Sequence, residues 1–275
     1  MPKGVGVIME SVIKKMADEK QQLLKKLTFF DANVWLGRPE GFPLAEELKG
    51  TELQNALRKH YIAGALISHW RGKIVSAQDG NKTLQGSADY LANDNFVIWT
   101  GLPLYPEDIG PLPGVGKPDK KVRGVRLFPR SHNFPLVSWC LGSLCKWLVE
   151  HNMPLFIWHL ELDWDQIYKL AKQFPSLRII IETQTQKILY HTRPLFGLMR
   201  DCENVSVELS NFAGAGFIEY AVGRFGAERL IFGSFMPVAD PLVPMGMVLD
   251  ADISESDKAL IAGGNIKRLI AEVAL

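Results

Sequence analysis

The sequence predicts a single α/β domain, a closed (β/α)8 TIM barrel preceded by an N-terminal helical extension. Three observations carry this. The chain has 275 residues, a length that suits one large barrel. It contains eight short apolar runs, and stretches of helix length and amphipathic character separate them. Residues 1–26 form the extension and residues 27–275 the barrel.

The strand-like runs are 27–34, 64–68, 96–100, 122–128, 155–160, 178–181, 205–209 and 229–233. Most are nearly continuous apolar segments, as expected of parallel strands covered on both faces. Between them, residues 163–174 place Ile167, Leu170, Ala171 and Phe174 at helical spacing, with Pro175 just beyond. Residues 136–151 put Leu141, Leu144, Cys145 and Leu148 on one face, and 212–225 form a third helix ending before Gly226. A helical segment over 8–26 precedes the first strand. The alternation favours a closed barrel over an open sheet. One connection breaks the rhythm: residues 101–118 hold five prolines and four glycines. On a barrel this loop lies at the catalytic face, as an ordinary connection or as a wall of the pocket.

A chain of this length can bury a sizeable core without disulfides or structural metal. Its net charge of +1, from 31 basic and 30 acidic residues, argues against nucleic acid or an anionic membrane as partner. The three cysteines, Cys140, Cys145 and Cys202, form no disulfide framework and read as free thiols of a reducing compartment. With no apolar run of 18 residues and no apolar signal core, the expectation is a cytoplasmic protein.

Active residues of such barrels project from the C-terminal ends of the strands. In this sequence those ends offer Asp31, Asn33, Trp35, His69, Arg71, Trp99, Arg126, Phe128, Arg130, Trp158, His159, Glu161, Glu182, Thr183, Gln184, Glu208, Ser210, Ser234 and Phe235. His159 and Glu161 stand in an alternating run and are expected to share a face. Acid–base work then falls to His159 with Glu161 and Glu182, the catalytic candidates. Asn33, Trp35, His69, Trp99, Arg126 and Phe235 are the candidate substrate-binding residues, an aromatic wall with converging polar groups. Arg126, inside an apolar strand, either clamps a substrate carboxylate or pairs with Glu161 or Glu182. His69 has a structural reading as a hydrogen-bonding residue beside the catalytic one, and Asp163 can cap the following helix. Both readings of the aromatics stay open: they line a cavity, or they fill a mouth that admits no substrate.

Several segments, in order, resemble those of the amidohydrolase superfamily. They are Phe30-Asp31-Ala32-Asn33-Val34-Trp35-Leu36-Gly37, Gly124-Val125-Arg126-Leu127-Phe128-Pro129, Pro154-Leu155-Phe156-Ile157-Trp158-His159, Phe174-Pro175-Ser176-Leu177-Arg178-Ile179-Ile180-Ile181, Phe225-Gly226-Ala227-Glu228-Arg229-Leu230-Ile231-Phe232-Gly233-Ser234 and Gly264-Asn265-Ile266-Lys267-Arg268-Leu269. The resemblance runs from about Phe29 to Leu269. It implies a mononuclear or binuclear metal site whose bound water attacks a carbonyl or lactone carbon. The ligand positions it implies fall on Asn33, Trp35, His159, Thr183 and Phe235, of which only His159 keeps a ligand-type side chain. Phe235 also replaces the carboxylate that would accept the proton.

The expectation is therefore a hydrolase of a small lactone, amide or similar carboxylate substrate whose standard metal site has degenerated. Its alternative is a catalytically inactive homologue that binds a small molecule or regulates. No cofactor is expected, and zinc only through a non-standard site built from His159, Glu161, Glu182 and Glu208. The expected partner is a small-molecule ligand, with homo-oligomerisation open.

Overall fold

The computed structural model describes residues 3–86, 95–103, 120–185 and 188–275, with side chains from residue 14 onward. Its eight strands are β1 (Phe29–Leu36), β2 (Ile62–His69), β3 (Phe96–Thr100), β4 (Val122–Leu127), β5 (Leu155–Trp158), β6 (Ile179–Glu182), β7 (Val205–Glu208) and β8 (Leu230–Ile231). They pair in parallel, each with the next in sequence. The sheet curls into a nearly closed barrel. Its β8–β1 seam is crossed by hydrogen bonds from Ala32 N to Phe232 O (3.1 Å) and from Trp35 N to Met236 O (2.9 Å).

The helices are α1 (Lys3–Lys26), α2 (Gly50–Lys59), α3 (Trp70–Ile74), α4 (Ala77–Gln85), α5 (Ser138–Glu150), α6 (Trp164–Gln173), α7 (Ile188–Asp201), α8 (Phe217–Phe225), α9 (Leu242–Asp250), α10 (Glu255–Ala259) and α11 (Asn265–Ala271). The faces expected of α5 and α6 are the buried ones. Asp163 does cap α6, accepting from Gln166 N at 2.9 Å. Helix α8 starts at Phe217, later than expected, because Gly216 takes φ +71° and turns the chain into it. The proline-rich connection lies outside the described residues from 104 to 119.

Strand alternation sorts the side chains into two cores. Val125, Leu127, Leu155, Ile157, Ile179, Ile181, Val205 and Val207 face the helices and share one large apolar cluster. Trp99 belongs to this outer layer, so its ring packs under the helices rather than in the barrel mouth. Phe30, Ala32, Leu66, Ile98, Phe156, Ile180 and Ile231 fill the barrel interior, joined by Ile266, Leu269 and Ile270 of α11. Gly124 is required here: a Cβ would lie 2.6 Å from the Phe156 ring.

Strand β1 departs from simple alternation. Asp31 pairs with Ala65 and Val34 with Ile67, so three residue steps on β1 match two on β2. This bulge reverses the strand's parity. Before it Phe30 and Ala32 point inward, whereas after it Val34 and Leu36 point outward and Trp35 turns to the interior. Asp31 holds the bulge, its Oδ1 accepting from Asn33 N and from Ser234 N, both at 2.9 Å.

All three cysteines are free, and burial pushes the Cys145 thiol up to about 12. Among the described residues no helix is long and apolar enough to cross a membrane.

Candidate active site at the barrel mouth

Above the apolar interior lies a polar layer. Arg126 of β4, only 1% exposed, reaches past β5 to Glu182 of β6, which is fully buried. Their contact is bidentate: Nε donates to Oε2 at 3.0 Å and Nη2 to Oε1. Arg126 Nη1 donates to Ser68 Oγ of β2, and Nη2 reaches Asn33 Oδ1 at 3.4 Å. A guanidinium with this many acceptors is stable in an interior that would otherwise reject its charge.

The face of Trp35 covers the guanidinium, whose central carbon lies 4.5 Å from the ring centroid. Trp35 Nε1 donates to Asn33 Oδ1 at 2.7 Å, so one amide oxygen serves both the ring and the cation. Above and beside Trp35 sit Trp70, Phe128 and Phe235, all buried, with Phe42, Val238 and Ala239 packed against them. Trp35 meets Trp70 at 4.5 Å between centroids and Phe235 edge-on at 6.4 Å. Phe235 holds this place from a left-handed backbone, φ +62°, a conformation rare for a bulky residue and held by its surroundings.

Two more carboxyls share the polar layer. Glu208 of β7 accepts from Ser210 N at 2.9 Å, Ser210 Oγ at 3.0 Å and Thr183 N at 3.2 Å. Burial, reinforced by the charge of Glu182, raises its pKa to about 8. A Cβ on Gly233 would overlap its carboxylate, so this position has to be glycine. Asp31 is raised to about 6, by burial against the opposing hydrogen bonds of Ser234 and Asn33. Glu182 is also raised by burial, with Arg126 pulling the other way. These directions follow from the cost of charge in a dry interior.

The sequence candidates are not brought together as a catalytic set. Strand β5 stops at Trp158, and the chain turns there, with Glu161 N bonded to Trp158 O at 2.8 Å. His159 and Glu161 therefore share no strand face, contrary to the expectation from alternation. In the neutral ring His159 Nε2 donates to Gln184 O at 2.9 Å, and Nδ1 accepts from His191 Nδ1 of α7 at 2.8 Å. Glu161 instead accepts from Ser131 N (2.8 Å) and Ser131 Oγ (2.6 Å) and faces Lys73 Nζ at 3.6 Å. Of the two partners open to Arg126, the structure selects Glu182. His69 accepts from Arg71 N at 3.1 Å and caps α3, and burial lowers its pKa.

Ser68, Lys73, Ser131 and His191 complete these networks and were not legible as partners. They come from a strand, two helices and the turn after β4, and match no motif.

The amidohydrolase family model matches residues 118–271, more than half of the chain. The chain belongs to the amidohydrolase family. The barrel also resembles solved structures along nearly its whole length. These include 5-carboxyvanillate decarboxylase from Sphingomonas paucimobilis (TM-score 0.67, 12% identity, 89% of this chain and 99% of that one). Another is a dihydroxybenzoic acid decarboxylase from Polaromonas sp. JS666, solved with bound manganese and an inhibitor (TM-score 0.67, 12% identity, 89% and 97%). A third is an amidohydrolase from Burkholderia multivorans with bound zinc (TM-score 0.62, 16% identity, 89% and 99%). At such identities the likeness is one of fold. No curated protein sequence matches the chain.

Whether this amidohydrolase-family barrel suits a divalent ion is a question of donors. Trp35 and Phe235 offer none. Asn33 Oδ1 already accepts from Trp35 and Arg126. Thr183 Oγ1 donates to Glu208 O at 2.8 Å and accepts from Asn211 N at 3.1 Å. Both ring nitrogens of His159 are bonded. Among the described residues no three His, Cys, Asp or Glu side chains come together in a metal-holding group. Zinc needs about three such ligands and an open position, so this donor set does not fit it.

Beside the plug, a surface cleft of about 780 Å3 runs between residues 41–48 and 236–241. Phe42, Leu48, Met236 and Val238 give it apolar walls, and Glu46, Glu47, Glu52, Lys59 and Asp240 its charged ones.

Proposed function

We propose that this chain is an amidohydrolase-family barrel that binds a small molecule, in a sensing or regulatory role, and does not hydrolyse through a metal-bound water. The observation that carries this is the filled mouth: Trp35 is fully buried among Trp70, Phe128 and Phe235. The residues best suited to acid–base work are committed elsewhere, His159 to Gln184 and His191, Glu161 to Ser131 and Lys73, Glu182 to Arg126.

In this reading the ligand meets the outer side of the plug, in the cleft whose wall Phe42 and Val238 share with the aromatic cluster. Its volume is in the range of small-molecule sites. Glu46, Glu47, Glu52 and Asp240 outnumber Lys59 along its lining, which favours a neutral lactone or amide over a small carboxylate. The guanidinium of Arg126 is engaged by Glu182, Ser68 and Asn33 and is no clamp for a carboxylate. A near-neutral net charge favours a small ligand over nucleic acid or membrane.

A panel of small carboxylates, lactones and amides tests this by thermal shift and by turnover. The expected result is no turnover, with a shift from a lactone or amide that filling the cleft by Ala239→Arg abolishes. Turnover by the purified protein that His159→Ala removes would overturn the reading.

One observation favours metal-independent hydrolysis of a lactone or amide as a second reading. Asp31 and Glu208 titrate near 6 and 8, on either side of neutral pH, as proton-transfer groups should. For this the plug must open. Turnover in the same panel that is insensitive to chelator and lost in Glu208→Gln would select it.

A further inference from the structure

The acceptors around Arg126 form a receptor. Glu182 presents two carboxylate oxygens to the fork, Ser68 Oγ and Asn33 Oδ1 take further N–H groups, and the Trp35 ring covers the guanidinium carbon. Every one of these residues is buried, at 3% exposure or less. Several acceptors spread around a fork and an aromatic face over it suit a planar delocalised cation, whereas a compact ion can use the ring but cannot reach all the acceptors at once.

Arg126 and Glu182 are the charged pair of the layer, and burial keeps Glu208 protonated at neutral pH. Removing that cation leaves Glu182 with no countercharge in the layer, and the vacated volume keeps its oxygens and its ring face.

We infer that the polar layer of this barrel is a binding site for one planar organic cation of the guanidinium class, filled in the native chain by its own Arg126. The site is thus selective for shape as well as charge. It stands on the contacts of Arg126 and is independent of whether the outer cleft binds a ligand.

The test uses the full chain and its Arg126→Ala variant, followed by thermal unfolding. Methylguanidinium chloride at low millimolar concentration is the probe, with urea, tetramethylammonium, zinc and manganese salts as comparisons. The variant should melt well below the native chain and regain more than half of the loss with methylguanidinium alone. The native chain should respond to none of them. Equal rescue by urea or tetramethylammonium, or no rescue, would overturn the proposal. So would rescue by zinc or manganese, or a metal-induced shift of the native chain.

If the variant is insoluble, it is refolded from urea with and without methylguanidinium. Recovery with the probe only is expected; equal recovery, or none in either case, overturns the proposal. Arg126→Met combined with Glu182→Gln, which removes both charges, should fold and ignore methylguanidinium. A response from that double variant would place the binding elsewhere.

Discussion

The guanidinium of Arg126 lies over the ring of Trp35, its central carbon 4.5 Å from the centroid, and the same cation is clasped by Glu182 from β6, two strands away. Side chains of β1, β4 and β6 thus meet in one cluster.

Breaking the clasp from one side leaves an unpaired buried charge. Glu182→Ala should cost about 3–5 kcal/mol, whereas replacing both partners, with Arg126→Met and Glu182→Leu, should be close to neutral. Urea denaturation of the two variants checks this. Equal losses in both would mean that packing volume, and not charge, holds the layer.

Trp35→Ala removes the centre of the aromatic plug and should cost about 3–5 kcal/mol, with Trp35→Phe costing less. Unfolding free energies decide it. A neutral Trp35→Ala would show that the mouth is not a packed core.

How much of this was legible in the sequence varies from residue to residue. Alternation in 122–127 and 179–182 places Arg126 and Glu182 inward, because Val125, Leu127, Ile179 and Ile181 must face the helices. The cost of its charge left Arg126 two readings, a substrate carboxylate or a strand-end glutamate, and only the fold selects Glu182. Trp35 was harder. Its inward turn depends on a bulge that reverses the parity of β1, and nothing in a period of two announces an extra residue. His159 and Glu161 failed for the opposite reason: alternation was carried past the end of β5, where the chain already turns. Trp99 sits at a strand end and packs outward, since position along a strand does not fix its face. Ser68, Lys73, Ser131 and His191 are ordinary residues given their roles by tertiary contact alone.

Glu208 makes stability depend on pH in a direction that can be worked out. Its folded pKa of about 8 stands above the ordinary value near 4.3 in the unfolded chain. Between these values the unfolded state releases the proton and the folded state keeps it. Stability contributed by the protonated group is therefore full below about pH 4 and is lost as pH rises to about 8, at up to about 1.4 kcal/mol per pH unit. Asp31, raised to about 6, adds a loss of the same sign that is complete by about pH 6. Glu208→Gln should flatten the decline between pH 6 and 8 by about one proton. Unfolding measured across that range would contradict the assignment if the variant and native slopes coincide.

Metal content after exposure to metal tests the account most directly. The purified chain is incubated with excess zinc or manganese, desalted and analysed by plasma mass spectrometry alongside His159→Ala. With Arg126 as the barrel's own cation, the native chain should retain well under one tenth of an equivalent, and the variant should match it. Retention of about one equivalent that His159→Ala abolishes would contradict the account.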